Sequence, residues 1–281
     1  MSVVTIGADS KSFGDSLRQV ADMHVLKDDF VLVRGDIITN IDIHGALKMH
    51  YHVKKEEGKK ANVTGDTRKL KTIMTKVFTS MALSNPLRDP ATTDITVMYD
   101  AQTKELIKYQ SAISESRKKQ KSIHLNEEHI AFQKSYSSPK ETKDSSEEFK
   151  DLKINNVYPK ATSLEVRQDL VDCEVAICTE DVLNLFSDNF DKVNLKDNFI
   201  NWLYESEVME DRIRVYEVKQ QGAYFARISN PRLYGVVSKD VILRHAYPMV
   251  INKKSIDQVH SYNLSKQNTY IDNSAQVSVL S

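Results

Sequence analysis

Cysteine is almost absent from these 281 residues, with Cys173 and Cys178 the only two. A disulfide framework is therefore excluded, and reduced thiols in a cytosolic protein are the expectation. The pair falls in one strand-like segment, five positions apart. The two side chains then face opposite sides, as small buried apolar residues rather than a metal or redox pair. Glycine is scarce as well. The eight stand at positions 7, 14, 35, 45, 58, 65, 222 and 235, never closer than seven residues. A dinucleotide fingerprint and a P-loop both need clustered glycines for backbone approach to phosphate, so neither can be built. Net charge is missing too. The 39 Lys+Arg balance 39 Asp+Glu, which argues against DNA or an anionic membrane as the main partner. No apolar run approaches the roughly 18 to 20 residues of a membrane span. The N-terminal stretch lacks the basic and apolar regions of a secretory leader. The motif G-x-S-x-G is absent, and no nucleophilic triad can be nominated. The eight histidines offer no metal set. His50 and His52 stand at i and i+2, which do not face each other on a helix, and His124 and His129 lack partners at ligand spacing.

What is present is a chain long enough for one large α/β domain or two small ones, 40% hydrophobic and 28% charged. Phe30 to Val33 is a continuous apolar run that predicts a parallel strand covered on both faces. Gly35 permits a sharp exit, and Asp36 follows at the strand's carboxyl end, the edge where ligands bind in open α/β sheets. Asp36 is either a magnesium ligand or a solvated residue on the approach to a helix. Asp42 is a candidate N-cap for a helix with Ala46, Leu47, His50 and Tyr51 on one side, fading through 54–60. Strands are expected over 71–78 and 95–99, the latter in a hairpin with 105–110. The segment 134–153 holds five Lys, five acids and five Ser and reads as a flexible insertion. The basic run Arg117 to Lys121 lacks interleaved aromatics and reads as a solvated loop.

Regular structure resumes with a strand over 169–178, a Thr179-capped helix carrying Val182, Leu183, Leu185 and Phe186, and a helix over 195–204. Strands over 212–218 and 223–228 follow, then a helix from Asn230-Pro231 in the order expected of an N-cap and a first-position proline. Asn189 could close the preceding helix in a left-handed conformation, with Phe190 packed behind it. That account is complete without any functional role for the pair.

Residues 29–41, Asp-Phe-Val-Leu-Val-Arg-Gly-Asp-Ile-Ile-Thr-Asn-Ile, resemble the strand and Gly-Asp element of sugar-nucleotide pyrophosphorylase-like domains. With residues 169–178, 185–191, 226–234 and 246–248, they form an ordered set that resembles the epsilon subunits of eukaryotic translation initiation factor two-B. The resemblance runs almost end to end and is weakest at 134–153. It implies an α/β, nucleotidyltransferase-like (Rossmann-like) mixed sheet flanked by helices, incomplete at its N-terminus, over residues 1–268. A left-handed β-helix would start over 269–281. That family is the guanine nucleotide exchange factor that reloads initiation factor two with GTP, and its exchange domain lies in a C-terminal helical-repeat region. The implied partners are the gamma and other subunits of the same factor, and the GTPase initiation factor two.

Two site expectations come with the resemblance. The Asn-Phe pair matching Asn189 and Phe190 is linked to exchange in the family. Gly35 and Asp36 with Ser229 and Asn230 match a nucleotide or metal site in which a second carboxylate is replaced by the neutral Ser-Asn pair. Magnesium or nucleotide would then be vestigial and nucleotidyl transfer lost, since a metal clamping a phosphoryl group needs that charge. The alternative is a sugar-phosphate nucleotidyltransferase using magnesium at Asp36.

Overall fold

The computed structural model describes residues 3, 5–7, 10–64, 71–80, 90–111, 163–205, 211–250 and 262–277. The basic run 117–121, His124, His129, the segment 134–153 and residues 278–281 lie outside these.

In chain order the elements are α1 (Phe13–Asp22), β1 (Phe30–Val33), β2 (Ile37–Thr39), α2 (His44–Thr64), β3 (Lys71–Ser80), α3 (Pro90–Thr93), β4 (Ile95–Asp100) and β5 (Leu106–Ser111). They continue with β6 (Leu164–Arg167), β7 (Leu170–Cys178), α4 (Glu180–Asp188), a π-helix (Leu195–Ile200), α5 (Asn201–Glu205), β8 (Asp211–Val218), β9 (Phe225–Arg227) and α6 (Pro231–Ile242). A short pair, β10 (Tyr262–Leu264) and β11 (Tyr270–Asp272), ends the described chain as an antiparallel ribbon.

The main sheet has the order β1-β7-β3-β8 and is mixed. β7 is antiparallel to both neighbours, while β3 and β8 run parallel. β4 pairs with β5 and β6 in a second antiparallel sheet. Strand β7 is buried along all nine residues because its period-two alternation feeds two cores. Leu170, Ala176 and Cys178 join the core made with α1, α4 and the π-helix, whereas Val171, Cys173, Val175 and Ile177 join the one under α2. The two cysteines thus sit in different cores, as an odd spacing on a strand requires. α2 closes on β8 where Gly45 meets Tyr216. A Cβ there would stand 2.0 Å from the tyrosine oxygen, so a larger residue would have to displace the Tyr216 hydroxyl.

Several sequence expectations are corrected. β1 is not parallel and is not covered on both faces. It is antiparallel to β7 at the edge of the sheet, with Val31 and Val33 38% and 52% exposed. An apolar run reports burial of a segment's neighbours and cannot distinguish a central strand from an edge. α2 continues through 54–60 to Thr64, and Tyr51 lies on its exposed side. Asp42 accepts from the His44 amide at 2.9 Å, but it stands one position ahead of the N-cap, which is Ile43, whose carbonyl accepts from the Leu47 amide at 3.0 Å. The segment after 195 opens as a π-helix and not an α-helix. Asn230 does cap α6, its Oδ1 accepting from the Leu233 amide at 2.9 Å.

Candidate functional site

Chain geometry brings the first set of expected site residues to one place. β2 and β9 pair antiparallel with Ile37 opposite Arg227, so Asp36 lies against Ile228, whose amide donates to the Asp36 carbonyl at 2.8 Å. Ser229 and Asn230 follow directly. The Asp36 carboxylate is taken up by two guanidiniums. Arg34 donates from Nε to Oδ1 at 3.0 Å and from Nη2 to Oδ2 at 3.3 Å, and Arg227 donates from Nε to Oδ2 at 2.9 Å. Burial pushes the Asp36 carboxyl up, but the hydrogen bonds from Arg34 and Arg227 outweigh it and hold the group below the ordinary carboxylate range. The Asn230 side chain is committed to its cap. A Cβ at Gly35 would meet nothing within 4 Å, so the turn does not demand glycine.

This donor set does not fit a divalent cation. Magnesium needs hard oxygen ligands in octahedral array, and here two cations already occupy both oxygens of Asp36. The next carboxylate, Glu174, accepts from Lys196 Nζ at 2.6 Å and has Arg227 Nη1 at 3.8 Å. Among the described residues no group of three or more His, Cys, Asp or Glu could hold a metal.

The Glu174 contacts lead into a buried cluster that sequence reasoning missed. Asp172 and Lys76 are 0% and 1% exposed. Their ion pair measures 2.9 Å, Lys196 approaches the same Asp172 oxygen at 2.9 Å, and the Tyr109 hydroxyl donates to it at 2.9 Å. Burial pushes the Asp172 carboxyl up, but Lys196 and Lys76 overcome it and leave the group far below the ordinary range. The signal in the sequence was the pair of acids inside the apolar run Leu-Val-Asp-Cys-Glu-Val-Ala. Glu174 adopts φ 53°, and its amide donates to Asp172 Oδ1 at 3.0 Å. That turns β7 locally and aims Glu174 toward Lys196.

The second expected site lies between α4 and the π-helix. The Asn189 left-handed cap is corrected: φ is −121°. Its Nδ2 donates to the Leu185 carbonyl at 2.8 Å instead, which satisfies one of the orphan carbonyls at the helix end. Phe190 is not packed behind it. The ring is 77% exposed, and the Arg18 guanidinium sits 5.5 Å from its centroid. Asn189 and Phe190 are therefore adjacent but play opposite parts, one turned into the helix end and the other outward. Lys196, just past the loop, joins this segment to Glu174.

No family model matches the chain. Curated proteins do. It is 29% identical over 264 residues to "Translation initiation factor eIF2B subunit epsilon" of Dictyostelium discoideum, covering 94% of this chain and 30% of that protein. The protein of the same name in Schizosaccharomyces pombe is 28% identical over 257 residues, 92% of this chain and 31% of that protein. The chain is similar to the epsilon subunit of eIF2B. This epsilon-like chain spans about a third of the length of the curated relatives it matches. Its structural neighbours are nucleotidyltransferases. They include an apo UDP-glucose pyrophosphorylase (TM-score 0.41, 11% identity, 86% of this chain and 64% of that one) and a UTP-bound UGPase of Acinetobacter baumannii (0.42, 12%, 88% and 62%). Likenesses at that level support no statement about chemistry.

Proposed function

We propose that the epsilon-like chain is a pyrophosphorylase-like region of the guanine nucleotide exchange factor that reloads initiation factor two with GTP. In this reading it serves as a non-catalytic scaffold and partner-binding domain in the cytosol. It holds the gamma and other subunits, leads into a left-handed β-helix from about residue 269, and meets the GTPase factor through Asn189 and Phe190. The observation that carries the reading is the exposure of Phe190. A phenylalanine turned outward, with its loop tied down, leaves apolar surface that a partner can cover. Nucleotidyl transfer is the weaker reading, because the carboxylate that would take magnesium is neutralised by Arg34 and Arg227.

The test is affinity purification of the tagged parent protein from its own cells. The other exchange-factor subunits and initiation factor two are expected to copurify. A partnerless preparation overturns the reading.

A further inference from the structure

We propose that Arg18 is the positioning residue of the Phe190 loop, so that α1 belongs to the exchange surface together with Asn189 and Phe190. The proposal rests on the reading of Phe190 given above. α4 has no basic residue in its last turn, although the carbonyls at a helix C-terminus carry partial negative charge that favours a cation. Arg18 supplies that cation from another element. Its Nη1 donates to the carbonyls of Phe186, Asn189 and Lys192 at 3.2, 3.4 and 3.4 Å. One guanidinium nitrogen thus gathers the last turn of α4 and both ends of the loop that presents Phe190. Nη2 donates to Asp15 at 2.8 Å, which fixes the plane of the fork. The guanidinium carbon stands 5.5 Å from the Phe190 ring centroid, a cation–π contact that holds the ring beside α1.

α1 is shaped for this grip. Ser12 caps it by accepting from the Asp15 amide at 3.0 Å. The Gly14 amide donates to the Val193 carbonyl at 2.9 Å. A Cβ on Gly14 would stand 2.2 Å from the Lys192 carbonyl oxygen, so any larger residue pushes the loop away. Two features of α1, at Gly14 and Arg18, therefore converge on residues 186–193. Arg18 touches the Phe190 ring and the loop carbonyls of Asn189 and Lys192, and acts through them.

The experiment uses the reconstituted exchange complex with the full-length chain carrying R18M, R18K, G14A, F190A or R18M/F190A. Two quantities are read: the rate of GDP release from initiation factor two, and hydrogen exchange at the amides of residues 189–193. Methionine keeps the apolar stem and removes the charge, so a change cannot be assigned to a cavity. R18M is expected to slow GDP release to the F190A level, with the double variant no slower than F190A, and to speed amide exchange in 189–193 alone. Lysine restores a cation and three donors, so R18K should recover part of the loop protection, whereas G14A should reproduce the R18M loss. The proposal is overturned if R18M keeps native loop protection, or if the double variant loses the product of the two single losses. A wild-type rate for F190A overturns the exchange reading instead, and loop protection in R18M then decides the positioning role by itself.

Discussion

At the scale of single residues, two phenylalanines four positions apart in one helix and its loop separate a core role from a surface role. Phe186 is fully buried and stacks on Phe199 with ring centroids 4.4 Å apart. Phe190 is mostly in water. Truncating a buried phenylalanine removes its transfer energy and leaves a cavity, so F186A should cost about 3 to 5 kcal/mol. F190A has almost no burial to lose and should stay within about 0.5 kcal/mol of wild type. Parallel urea melts of the two variants check this, and a large loss for F190A would place its ring in a core. An F190A protein of native stability and reduced exchange is the combination that a surface role predicts.

At the scale of elements, β7 shows how burial and charge were combined in one strand. Its apolar positions alternate between the two cores, yet Asp172 lies in the middle with Lys76 and Lys196 on the same oxygen. Removing one partner of a buried pair leaves the other charge uncompensated, so D172N should cost about 3 to 5 kcal/mol at neutral pH. Lys76 is the residue stranded, since Lys196 retains Glu174. The sign of the pH dependence follows from the depressed carboxyl of the folded state. Its stabilisation is fully present above the unfolded carboxylate value of about 3.9 and is lost as the pH falls below that toward the depressed folded value. The gap between wild type and D172N should therefore narrow between denaturant melts at pH 7 and pH 3. A gap that widens in acid would show that Asp172 is not ionised in the fold.

The same elements show what was legible in the sequence. The strands over 71–78 and 169–178, the hairpin after residue 95 and the Asn230-Pro231 start of α6 could be read because each rests on local rules of alternation, turn chemistry or capping. The buried cluster could not, because Lys76, Tyr109, Asp172 and Lys196 come from four elements: β7-β3 pairing joins Asp172 to Lys76, while Tyr109 and Lys196 arrive from β5 and the π-helix. Asp36 was legible from its place after an apolar strand, whereas Ser229-Asn230 entered as part of a site through resemblance alone. The arginines that neutralise Asp36 had no signal, since Arg34 reads as one more charge in a loop and Arg227 as the end of a strand. Phe190 was misread as packed because hydrophobicity predicts burial only on average.

At the scale of the whole molecule, the main sheet has two unequal flanks. β8 is closed at one end by the chain before β5: the Val215 amide donates to the Lys104 carbonyl at 2.8 Å, and Glu105 bridges Arg214. At the other end β1 pairs only with β7 among the described residues, and it turns Val31 and Val33 toward water. An edge that offers unpaired backbone groups and β-branched apolar side chains is a template for intermolecular pairing. A net charge of zero supplies no repulsion to oppose it. The 281-residue chain expressed on its own should therefore self-associate through β1. Lysine at an edge position blocks such pairing and costs little where the side chain is already half in water. V33K should raise the soluble fraction and the monomer share in sedimentation velocity, with a melting temperature close to wild type. S163K adds the same charge at an exposed position away from the edge and separates the two effects. If S163K dissolves the chain as well as V33K does, net charge governs the association; if only V33K does, β1 is the surface through which the copies meet.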